Sequence, residues 1–171
     1  MWSRRRVIFV GVAGTIAAGA ALVLPRRGSS GTAPSGSVLI SEHAGMLRAV
    51  SQALLGSALP SEAEALNREL TRVTDATAAL ITNLPASTRQ EIADLFGLLE
   101  LKPARVLLGY SGDWAGADIP TVTTFLADLR DSSIGLKQQA YFALHDLLLG
   151  SFYAEPTTWA ATGYPGPPRL I

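Results

Sequence analysis

The sequence predicts an all-α fold: a bundle of five or six helices with an extended, Pro-rich C-terminal strap. Three observations predict it. Apolar residues recur at helical spacing nearly throughout from Val38 to Tyr153. No stretch alternates apolar and polar residues in the way a half-buried strand requires. After Tyr153 the composition changes, with Pro156, Pro165, Pro167 and Pro168 falling close together. The predicted organisation is a signal or anchor segment over 1–25, a flexible linker over 26–37, the bundle over 38–153 and the strap over 154–171.

The first helix is expected over about 38–56, with Ile40, Ala44, Leu47, Val50 and Leu54 on one face and Gly56 near its end. Ser61-Glu62-Ala63-Glu64 has the form of a capping box, with the Ser hydroxyl on a free N–H and Glu64 reaching back. The helix it opens carries Leu66, Leu70, Val73, Thr77, Leu80 and Leu84 at 3–4 spacing, and Pro85 ends it. Ser87 and Gln90 start a third helix with the stripe Ile92, Leu95, Phe96 and Leu99. Lys102-Pro103 breaks it, and a short helix through Val106–Leu108 follows. Gly109 to Pro120 reads as a loop holding Trp114. Val122, Phe125, Leu126 and Leu129 form another stripe. The last helix, about 136–153, presents Ala140, Leu144, Leu147, Leu148 and Phe152. A body of this size buries roughly two-thirds of its unfolded surface, enough for a bundle core.

In the strap, Gly163-Tyr164-Pro165-Gly166-Pro167-Pro168 is incompatible with a helix, because each Pro fixes φ and removes a donor N–H. Trp159 and Tyr164 are too large and apolar to be left in water without reason. They either fold back on the bundle or enter a partner's groove.

The 171 residues carry 14 Lys+Arg and 14 Asp+Glu, but unevenly. Five basic residues (Arg4, Arg5, Arg6, Arg26, Arg27) precede residue 38, where no acid occurs; from Val38 onward nine basic face 14 acidic residues, a net −5. That argues against nucleic-acid binding, which needs a basic face to neutralise phosphates. The chain has no Cys, which removes disulfides, thiolate metal sites, covalent haem attachment and a thiol nucleophile.

Arg4-Arg5-Arg6 precedes an apolar run over 7–24, 18 residues with Thr15 as their one polar side chain. Ser3-Arg4-Arg5-Arg6-Val7-Ile8 resembles the twin-arginine export pattern, with Arg4 and Arg5 as its paired arginines. Eight of the 18 residues are Gly or Ala, the mild hydrophobicity of such signals. As a plain anchor helix the run would rise about 27 Å, slightly short of a ~30 Å hydrocarbon core. Gly31-Thr32-Ala33 is the nearest small-x-Ala cleavage site, and the Pro34 after it hinders a peptidase. The linker holds three Gly, four Ser and one Pro.

No catalytic constellation emerges. His43 and His145 are isolated, and neither has a second His three or four residues away. Ser151 sits in a helical stretch, not on the strand-to-helix turn of a nucleophile elbow. Asp113 has no partner acid at a fixed spacing, and no glycine-rich loop follows a strand. Glu42, Glu62, Glu64 and Glu69 read as caps or solvated helix faces.

The residues Ser151-Phe152-Tyr153, then Trp159, then Gly163-Tyr164-Pro165-Gly166-Pro167-Pro168 resemble the C-terminus of the gluconate 2-dehydrogenase subunit 3-like proteins. These are small subunits of bacterial FAD-dependent dehydrogenases. The twin-arginine signal, the helical body and the loop with Trp114 are compatible with that family. The resemblance implies a non-catalytic subunit with no cofactor of its own, docked to a large FAD-carrying subunit of the glucose–methanol–choline type. It further implies a cytochrome subunit as a possible companion, export through the twin-arginine translocase, and a place in the periplasm or on the periplasmic face of the inner membrane. Trp159, Tyr164, Pro165, Pro167 and Trp114 are the implied docking residues. The disulfide of some members is not implied here, since this chain lacks Cys. The alternative is a self-standing, membrane-tethered periplasmic adaptor.

Overall fold

The structure, a computed structural model, describes residues 33–166. Arg4, Arg5, the apolar run and Pro167 therefore lie outside the described residues. Within them the fold is all-helical, with seven α-helices and no strand. These are α1 (Gly36–Glu42), α2 (Ala44–Leu55), α3 (Ala63–Thr82), α4 (Ala86–Glu100), α5 (Lys102–Leu108), α6 (Ile119–Arg130) and α7 (Gly135–Tyr153). Short 3₁₀ turns follow α2 at Gly56–Ala58 and α7 at Pro156–Thr162. No helix among the described residues is long and apolar enough to cross a membrane.

The long helix α3 is the spine, packing on α1, α2 and α7, while α2 and α7 both pack on α6. Met46, Leu47, Val50, Val73, Ile81, Phe96, Leu99, Val122, Leu129, Leu144 and Leu148 are buried at the centre. The stripe Val122, Phe125, Leu126 and Leu129 is buried in full, as its spacing predicts. In α3 the buried set drifts, so that Ile81 rather than Leu80 closes the seam. A 3.6-residue period slides past a strict 3–4 pattern over five turns.

Three boundaries differ from expectation. The single first helix is two helices, interrupted at His43 (φ −118°, ψ 21°). The break lets α1 lie along α3 while α2 turns to pack on α6. Helix α1 also begins earlier than the linker was expected to end. Ser35 caps it, and the Gly36 N–H donates to Thr82 Oγ1 at 3.1 Å. A methyl group at Gly36 would overlap the Ala78 carbonyl, so this backbone approach requires glycine. Finally, α3 is capped by Glu62 rather than Ser61. Its two carboxylate oxygens accept from the N–H groups of Glu64 (2.9 Å) and Ala65 (2.7 Å). A carboxylate satisfies two orphan donors and meets the positive helix end, which a hydroxyl does less well.

The strap is also not extended along its whole length. Pro156–Thr162 winds into 3₁₀ turns, held by Thr158, whose N–H and hydroxyl both donate to Glu155 O. Proline is compatible with the first position of such a turn. Helical structure then stops at Gly163 (φ +71°), and 163–166 are non-helical, as Pro165 and the positive φ of Gly163 and Gly166 require.

Candidate functional site

The tail doubles back onto the end of α7. The Trp159 indole Nε1–H donates to the Tyr153 carbonyl at 2.7 Å, in the last turn of the helix, where Phe152 O also accepts from Thr158 Oγ1 at 3.3 Å. Tyr164 folds over the same ring, edge to face with centroids 5.3 Å apart, and its N–H donates to the Trp159 carbonyl at 3.2 Å. Gly166 (φ +94°) closes the turn, and a Cβ there would come within 3.3 Å of the indole. The result is an aromatic knob of Trp159 and Tyr164 seated on the Tyr153 carbonyl, with Tyr164 about half exposed (49%) and Pro165 exposed beside it. Of the two possible fates of the strap aromatics, folding back is the one observed. They fold onto their own helix end, leaving a ring surface in solvent, rather than into the core.

Beneath the knob, Arg72 lies over the Phe152 ring at 5.5 Å and pairs with Glu69. That hydrogen-bonded pair, with Glu155 nearby, pushes the Arg72 guanidinium further above its usual range. The charge is thus held over the ring, where the π-face favours it.

Trp114 belongs elsewhere. Although expected among the docking residues, it is a core side chain, 6% exposed. Its Nε1–H donates to the Leu99 carbonyl at 3.1 Å, and its ring stacks on Tyr110 with centroids 4.5 Å apart. The reason is Arg105, which sequence reasoning did not single out. Arg105 is 3% exposed, and its guanidinium lies 5.7 Å from the Tyr110 ring and 5.5 Å from the Trp114 ring. It donates to Asp113 Oδ1 (3.1 Å) and to the Glu100 carbonyl (3.4 Å). An Arg, two aromatic rings and a surface carboxylate lock the 109–118 loop to α5. Burial pushes the Tyr110 hydroxyl above its usual range, a shift that Arg105 partly offsets. A Tyr four residues before a Trp, just after an Arg-bearing helix, was the available signal. It is a weak one, because such triplets are common by chance.

The two histidines have separate partners. His43 meets the Phe96 ring edge-on at 5.5 Å, with Nδ1 3.6 Å from Glu100 Oε1. His145 Nδ1 sits 3.0 Å from Asp146. Among the described residues no group of three or more His, Cys, Asp or Glu is placed to hold a metal ion. The Ser151 hydroxyl donates to Leu147 O at 2.7 Å inside α7. A pocket of about 180 Å³ between α2, α6 and α7 is lined by Leu54, Leu126, Arg130 and Tyr141. Its cation, Arg130, is engaged through two nitrogens by Asp131, at 2.8 and 2.9 Å.

The described residues thus hold two aromatic arrangements, one at the end of α7 with ring surface exposed and one buried behind the 109–118 loop. Compared with protein-family models, with characterised proteins and with solved structures, the chain has no match.

Proposed function

We propose that this protein is a non-catalytic small subunit that docks to a large FAD-dependent dehydrogenase subunit of the glucose–methanol–choline type and assists its export by the twin-arginine route. FAD resides on the partner. The site of action is the periplasm or the periplasmic face of the inner membrane, with a cytochrome subunit as a further companion.

The observation that carries the reading is the preorganised knob. Trp159 and Tyr164 are held against one another and against α7, with ring surface left in solvent beside Pro165. Aromatic anchors fixed in place lose little conformational entropy on binding, which is the property of a docking element. The paired Arg4 and Arg5 supply the physical logic of export. A flavoprotein folds around its cofactor in the cytoplasm, so it needs a route for folded cargo. A subunit lacking a signal crosses by being docked to one that has it.

A second reading, a self-standing tethered adaptor, is favoured by the same Trp159–Tyr153 bond, since the knob is already seated on its own helix. Export separates the two. The dehydrogenase reading expects a neighbouring FAD-protein gene without its own signal. Replacing Arg4 and Arg5 with Lys should then strand both proteins in the cytoplasm. Periplasmic flavoprotein at its normal level in that variant contradicts the proposal.

A further inference from the structure

We infer that α5 is a lipid-contact element, resting its aliphatic face on the membrane to which the N-terminal apolar run tethers the body. This inference depends on that run remaining attached and is independent of any flavoprotein. Val106 and Leu107 are exposed on this short helix, Leu107 at 83%, and Leu101 is exposed at its N-cap; the main packing partner of the helix is α4. Helical spacing puts Val106 and Leu107 on one face with Lys102 and Pro103, each one turn before them. This ledge includes the most exposed large apolar side chain of the described residues. A contiguous exposed apolar patch marks a contact surface.

Three features favour lipid over protein as its occupant. The patch is aliphatic, whereas protein hot spots are rich in Trp, Tyr and Arg and poor in Leu and Val. The one exposed charge on α5 is Lys102, whose long stem can lie along apolar surface while its ammonium meets a phosphate headgroup. The tether also reaches. Residues 26–35, ten in number, precede α1 and span at most roughly 35 Å. Helix α1 adds only about 10 Å before His43, which touches Glu100 next to Leu101. The body, with its acidic excess, is not drawn to an anionic surface by charge. Tethering instead raises the local concentration of lipid enough for a weak apolar contact to persist.

The chain has no Cys, so Leu107→Cys carries a single environment-sensitive fluorophore, with Asp75→Cys on the exposed side of α3 as control. The full chain is reconstituted in phosphatidylethanolamine–phosphatidylglycerol vesicles. A nitroxide borne on the lipid chains should quench the label at position 107 several times more than at 75. Adding Leu101→Asp and Val106→Asp should abolish the difference while thermal unfolding is unchanged. Aqueous iodide quenching both positions equally overturns the inference. So does shielding of position 107 that arises only when a partner protein is bound, because the ledge is then a protein interface.

Discussion

The Trp114 indole and the Leu99 carbonyl form a buried hydrogen bond of 3.1 Å, tying the 109–118 loop to the last turn of α4. Replacing Trp114 with Phe keeps a ring beside Arg105 but removes the donor, leaving a buried carbonyl unsatisfied. A loss of ~1–3 kcal/mol is expected in denaturant unfolding. An unchanged midpoint would mean that the loop is held by stacking alone.

Ser51 is fully buried, yet its hydroxyl has no hydrogen-bond partner. Ser51→Ala removes an unpaired polar group and improves helix propensity in α2. The variant should be more stable by about 1 kcal/mol, seen as a higher denaturant midpoint at constant slope. Destabilisation would show that the hydroxyl is satisfied in solution.

At Gly36 the expectation is opposite in sign. Gly36→Val forces α1 off the Ala78 carbonyl and disturbs the N–H bond to Thr82. A loss of ~1–3 kcal/mol is expected, as for overpacked cores. Wild-type thermal stability in this variant would mean that α1 is not docked on α3.

Two helix caps should make stability fall in acid. The hydroxyl and N–H of Thr121 both hold Asp118 below its ordinary value of 3.8, and the N–H groups of Glu64 and Ala65 hold Glu62 below 4.5. Because folding favours the ionised forms, this stabilisation is present above those ordinary values and is lost as pH falls through the lowered ones. Asp118→Asn keeps an acceptor at the cap but cannot titrate, so it should flatten the slope of unfolding midpoint against pH below about 4. A slope identical to wild type would remove Asp118 from the account.

Much of this bundle is legible from apolar spacing. Ala140, Leu144, Leu147, Leu148 and Phe152 are all buried in α7, as their period requires. The break at His43 is not legible, because no Pro marks it and the nearby Gly45 lies inside α2. It arises from the competing demands of α3 on Gly36 and of α6 on α2, which only the tertiary fold defines. Trp114 is a docking residue only by the family resemblance, and the buried Arg105 that holds its ring in the core leaves no strong signal in the sequence. The tail was half legible. Pro165 helps explain why 163–166 is non-helical, but the 2.7 Å bond from Trp159 back to Tyr153 depends on the turns that begin at Pro156, which composition does not specify.

The central claim, that the knob is a docking element, is tested most directly by Trp159→Ala combined with Tyr164→Ala in the full chain co-expressed with the flavoprotein. Aromatic anchors of this kind contribute ~2 kcal/mol or more each at an interface, so the pair should weaken binding by several hundredfold or more. Co-purification should collapse while helical circular dichroism and the thermal midpoint of the small subunit stay close to wild type. A variant that melts much earlier yet still retains its partner would contradict it, and the knob would then be a structural clasp on α7.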